Sequence, residues 1–139
     1  MNAIDISSAN WKDVKETRYD AVILPWGACE PHNYHLPYLT DCFLSHHIAL
    51  ESASLAYERS GVLCAVLPPV YFGSQNPGQW DLPLCIHTNS ETQKAILSDV
   101  VESLQVQGFS KLVILNGHGG NTFKPYIRDL AKRQPGFTI

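Results

Sequence analysis

The sequence predicts an α/β fold: a mostly parallel sheet with helices on both faces. Two observations carry that expectation. Three short runs, AVILPW (21–26), VLCAVL (62–67) and KLVILNG (111–117), are continuously apolar, as strands buried on both faces must be. Helical patterns separate them, so strand and helix alternate along the chain, the order that builds a parallel sheet.

The first strand, 21–26, closes at Pro25 and Gly27, and residues 28–39, with Pro31 and Pro37, read as a loop. From Thr40 to about Ser60, Phe43, Leu44, Ile48, Ala49, Leu55 and Ala56 recur at helical spacing, and Gly61 stops the helix. The second strand ends at Pro68-Pro69. Residues 70–89 contain Gly73, Pro77, Gly78 and Pro83 and form a long irregular loop, a length that in a compact domain signals function or disorder. Residues 90–107 form the clearest helix, with Ser90 as N-cap, Gln93 completing a capping box, and Ile96, Val100, Leu104 and Val106 along an apolar stripe. The third strand leads through a glycine-rich turn into a helix over 122–133, and FTI at 137–139 opens a fourth strand. Residues 1–139 are thus expected to form one domain, and a chain that stops inside a strand is expected to be a fragment or a truncated product.

Composition narrows the function classes. Of 139 residues, 45% are hydrophobic and 17% charged, ordinary for a globular protein. Ten Lys and Arg against thirteen Asp and Glu give a net charge of −3, leaving no basic excess for nucleic acid. No apolar run approaches the roughly 18 residues that span a bilayer, and the polar N-terminus does not read as a signal peptide. Cys29, Cys42, Cys64 and Cys85 form no Cys-x-x-Cys pair and sit beside apolar residues, so they are expected to be reduced, in a cytoplasmic setting.

In an open α/β sheet ligands bind beyond the carboxyl ends of the strands. Two loops leave such ends with concentrated polar chemistry: Glu30 to Asp41 after the first strand, and Asn116-Gly117-His118-Gly119-Gly120-Asn121 after the third. Parallel strands bring both loops to one rim, where Glu30, His32, His35, Asp41 and His118 can converge. Imidazole with carboxylate suits zinc, manganese or iron. Asp41, at a helix start, can cap the helix or reach a cation, and Thr40 can cap instead. His118 between glycines is hard to explain by packing. His46 and His47 lie on the first long helix with no assigned role. The glycine turn lacks the spacing of a dinucleotide or phosphate loop, and no Gly-x-Ser-x-Gly marks a nucleophile.

Glu30-x-His32-x-x-His35-Leu36-Pro37, then Thr40-Asp41 before a helix, then Asn116 to Asn121, together resemble the creatininase (creatinine amidohydrolase) family from about residue 20 onward. The resemblance implies a two-metal α/β amidohydrolase, hexameric in the family, that hydrolyses a non-peptide C–N bond of a linear or cyclic amide through a metal-bound water. Glu30, Asp41 and His118 would hold one divalent ion; His32 and Asp41 would hold the other. Zinc is the first expectation, with manganese or iron as alternatives and up to two ions per intact site. His35 and Asn121 take catalytic or ligand-supporting roles, and Trp80 and His87 in the long loop face the substrate. The partners implied are a small amide and further copies of the chain, with no nucleic acid and no membrane.

Three departures qualify the resemblance. Gly120 stands where creatininase carries a metal-binding glutamate, which points away from creatinine as substrate. The 70–89 loop keeps only fragments of the family's Ser-x-Glu-His and Phe-Pro-Gly-Thr elements. The family's C-terminal His-Ala-Gly-Glu stretch is absent. The alternative expectation is a non-catalytic module or fragment with a residual metal site that self-associates.

Overall fold

The computed structural model describes residues 3–139. In chain order the elements are α1 (Trp11–Val14), β1 (Ala21–Trp26), α2 (Thr40–Ser60), β2 (Cys64–Val66), α3 (Ser90–Val106), β3 (Leu112–Asn116) and α4 (Lys124–Arg133). The three strands form a parallel sheet in the order β2-β1-β3, with Val22 opposite both Ala65 and Leu112. Parallel bridges from Asp5 to Val66 and from Lys111 to Thr138 add short extended segments at the two borders. The last of these segments contains the residues expected to open a fourth strand.

Successive strand side chains point to opposite faces, and each face has its own core. Val22, Leu24 and Trp26 pack with Leu97 and Val101 of α3 and Leu130 of α4. On the other face Ile23 packs with Ala49 and Ala53 of α2. Helices therefore cover both faces of a parallel sheet, as the alternation of elements predicts.

The helix faces differ from the expected ones. In α2 the buried residues are Cys42, Ser45, Ala49 and Ala53, whereas Phe43, Leu44, Ile48 and Leu55 stay exposed. A stripe of small residues lets the helix lie close on the sheet, and the large apolar residues are left pointing outward. In α3 the buried set is Gln93, Leu97, Val101 and Leu104; Ile96 and Val100 are only partly covered, and Val106 is 91% exposed. Asn89 occupies the N-cap of α3 without a side-chain cap bond, so the Ser90–Gln93 capping box does not form. Gln93 instead turns inward, its Nε2 donating to Asn121 Oδ1 at 2.7 Å. The short helix α1, capped by Asn10, was not expected; its four residues are too few to show a period.

Candidate metal centre

Parallel strands deliver the β1–α2 loop and the turn after β3 to the same rim. Glu30 is 8% exposed, and its backbone N–H donates to the Tyr38 carbonyl across the loop. Asp41 sits in the first turn of α2, where the free N–H groups favour a carboxylate. It does not cap the helix: the N-cap is Leu39, and the Thr40 hydroxyl donates to the Pro37 carbonyl. His118 lies two residues beyond β3, on a turn whose glycines are required by close approach. A Cβ at Gly117 would stand 2.7 Å from the Asp41 carbonyl oxygen. One at Gly120 would stand 2.1 Å from the Ser74 oxygen and 2.6 Å from His118 Nε2.

Four of the five converging candidates meet. His32 Nε2 lies 3.0 Å from Asp41 Oδ1 and 3.8 Å from Glu30 Oε1. His118 Nδ1 lies 3.1 Å from both Glu30 Oε1 and Asp41 Oδ2. His35 is exposed and makes no hydrogen bond to these four among the described residues. His46 pairs elsewhere, 3.3 Å from Asp5, and His47 is exposed.

The tautomers decide what this cluster can do. A carbonyl oxygen only accepts, so the ring nitrogen that meets one carries the proton. His118 Nε2 lies 2.8 Å from the Ser74 carbonyl, and His32 Nδ1 lies 3.1 Å from the Glu30 carbonyl. Each neutral ring therefore turns its lone pair toward carboxylate oxygens. Lone pair against carboxylate is repulsive unless a proton or a cation stands between them. Glu30 Oε2 is also buried without a partner. Glu30, His32 and Asp41 each offer a ligand atom within 4.8 Å of the others, and His118 Nδ1 closes on the same oxygens. This donor set fits a divalent cation, and two carboxylates balance its charge.

Electrostatics agree. Burial, reinforced by Asp41, lifts the Glu30 carboxyl above its ordinary range, against the pull of His118 and His32. Burial opposes charge on His32, but the hydrogen bond to Asp41, the Glu30 carbonyl and both carboxylates outweigh it and raise its pKa.

The long loop supplies the supporting groups. Asn121 is buried; its Oδ1 accepts from Ser74 N–H and Gln93 Nε2, and its Nδ2 donates to Gly27 and Asn116 oxygens. It thus holds the Ser74 peptide against His118. His87 Nδ1 accepts from the Gln75 N–H, and its ring lies 5.0 Å from that of the half-exposed Trp80. Ser74, Gln75, Gln93 and Asn116 carried no role in the sequence; the length of the 70–89 loop was their only signal.

Comparison with known proteins agrees with this architecture. The Creatininase family model (creatinine amidohydrolase) matches residues 7–139. A crystal structure from Bacteroides fragilis NCTC 9343, assigned as a creatinine amidohydrolase, superposes with a TM-score of 0.96 at 60% identity, covering all of this chain and 56% of that one. A manganese form of creatininase superposes with a TM-score of 0.78 at 21% identity, and a zinc form of a mutant creatininase with 0.78 at 22%; each is covered over 57% of its length. A 3-dehydro-scyllo-inosose hydrolase from Thermotoga maritima is 30% identical over 100 residues, 72% of this chain and 30% of that protein. The chain thus spans little more than half of the solved relatives.

Proposed function

The chain belongs to the creatininase family, and from that premise we propose that it carries the metal centre of an amidohydrolase acting on a non-peptide C–N bond of a small linear or cyclic amide. The supporting observation is the pair of histidine tautomers, each fixed by a backbone carbonyl so that its free nitrogen meets carboxylate. In this reading Glu30, Asp41 and His118 hold one divalent ion, and His32 with Asp41 holds the second. Zinc is the first choice, in keeping with the zinc and manganese forms of the structural relatives. A bound ion supplies Lewis acidity, polarising a carbonyl and lowering the pKa of water toward neutrality. Asp41 fixes the spacing of the two imidazoles. Asn121 and the Ser74 carbonyl hold the His118 ring in register. Trp80 and His87 form the substrate side, and the exposed His35 stands where it can meet substrate.

A homo-oligomer and a cytoplasmic setting complete the reading. The four free cysteines support the second. The test is metal analysis of protein purified without chelator. At least one zinc, manganese or iron per chain is expected, lost in His118→Ala, with hydrolysis of small amides abolished by Asp41→Asn. A content below about one ion per chain, unaffected by His118→Ala, overturns the metal reading. A non-catalytic, self-associating module is the second reading, favoured by the exposed apolar residues of α2. Amide hydrolysis that depends on Asp41 excludes it.

A further inference from the structure

Beyond the four clustered ligands, Gln75 is the residue the fold leaves unexplained. It is 5% exposed, and neither Nε2 nor Oε1 has a partner among the described residues. Buried amides nearly always find partners, and leaving both atoms without one is costly. The surroundings of Gln75 indicate what the amide serves. The preceding carbonyl, of Ser74, accepts from His118. The N–H of Gln75 donates to His87 Nδ1 at 2.9 Å, and its carbonyl accepts from Trp80 Nε1 at 2.9 Å. Gln75 therefore links the metal centre to the Trp80–His87 pair.

The segment that follows, residues 76–86, is mostly exposed and held by few side-chain bonds. Tyr38 Oη donates to the Pro83 carbonyl at 2.8 Å, and Cys29 Sγ lies 3.6 Å from the Leu84 carbonyl. Leu84, 78% exposed, has φ 59°, a left-handed conformation that leucine adopts only under constraint and that clusters at ligand clamps.

We propose that Gln75 is a specificity-determining residue, uncovered when segment 76–86 lifts, and that it reads the cis N–H and C=O edge of a lactam. A primary carboxamide presents one donor and one acceptor side by side. A lactam ring presents the complementary pair on one edge. An acyclic secondary amide, held trans, points its N–H and C=O in opposite directions and cannot pair with both. The exposed Trp80 indole offers the ring a flat apolar face. This inference rests on the hydrolase reading above and names the substrate class of the same site.

The test uses the zinc-loaded full chain with 2-pyrrolidinone as probe and N-methyl-2-pyrrolidinone, which lacks the N–H, as control, titrated by NMR. The lactam is expected to bind about tenfold or more tighter than the control. Gln75→Met, of similar length but without the amide, is expected to abolish that preference, keep its zinc and raise Tm, because two unpaired buried groups are gone. Equal binding of the two probes by the native protein overturns the inference. So does a preference retained in Gln75→Met, or a lower Tm in that variant. If Gln75→Met does not fold, Gln75→Leu takes its place, and failure of both makes the amide structural and overturns the inference. Zinc content separates the two levels: a native protein that holds no zinc refutes the metal reading, whereas zinc bound without lactam preference refutes the role of Gln75 alone.

Discussion

A neutral histidine presents one lone pair, and in this molecule backbone carbonyls choose its direction twice. His32 is set by the carbonyl of Glu30 in its own loop, but His118 depends on the Ser74 peptide, which reaches it from a different part of the chain. Gly120 makes that approach possible, since any Cβ there collides with the Ser74 oxygen and with His118 Nε2. The same contact explains why a glutamate at this position is incompatible with the present path of the loop. Gly120→Ala is therefore expected to cost about 1–3 kcal/mol of stability by overpacking. Freeing the His118 ring should weaken metal binding by roughly 10–100-fold, the usual effect of losing a group that orients a ligand. Calorimetric unfolding and a competitive zinc titration check both; a variant with native Tm and native affinity refutes the argument. Glu30, His32, Asp41 and His118 were legible in the sequence because parallel topology alone sends their two loops to one rim. Ser74, Gln75 and Gln93 were not, because their parts depend on backbone groups and on a loop path that no local period records.

Among the elements, α2 connects the N-terminal segment to the site. Its first turn carries Asp41, and one turn further on His46 meets Asp5, whose segment borders β2. Burial works against the Asp5 carboxylate, but the Ser7 amide hydrogen bond and His46 outweigh it and lower its pKa. A depressed carboxylate stabilises the fold above its unfolded pKa of about 3.9, and that contribution is lost as pH falls through the lower folded value. Asp5→Asn is expected to lower Tm at pH 7. The effect should stay within about 1 kcal/mol, because solvent reaches the pair. The gap between variant and native protein should close below about pH 3. Thermal melts of both from pH 2.5 to 7 check this, and a gap independent of pH excludes the linkage. The existence and order of the long elements were legible in the sequence, but the buried faces of α2 and α3 were not. A run of large apolar residues marks a core only when nothing smaller competes. Here Cys42, Ser45, Ala49 and Ala53 offer closer contact with the sheet, and Gln93 is drawn inward by Asn121.

At the scale of the whole molecule, the choice of inner face on α2 leaves a consequence outside. With small residues turned inward, Leu44, Ile48 and Leu55 share the opposite side of the helix, 42–54% exposed, with Phe43 beside them at 58%. Soluble monomers seldom leave several large apolar residues together on one open helix face, and such a patch marks an association surface. Self-association through this face would cover it while leaving the rim that holds Glu30, Asp41 and His118 at one end of the helix. Light scattering after size exclusion is therefore expected to give a multiple of the 15.5 kDa chain mass. The double variant Leu44→Glu/Ile48→Glu is expected to run as a monomer with unchanged helical signal, since neither side chain contributes to the core. A native protein that is monomeric at tens of micromolar, or a double variant that keeps the native mass, would show that this face does not drive assembly.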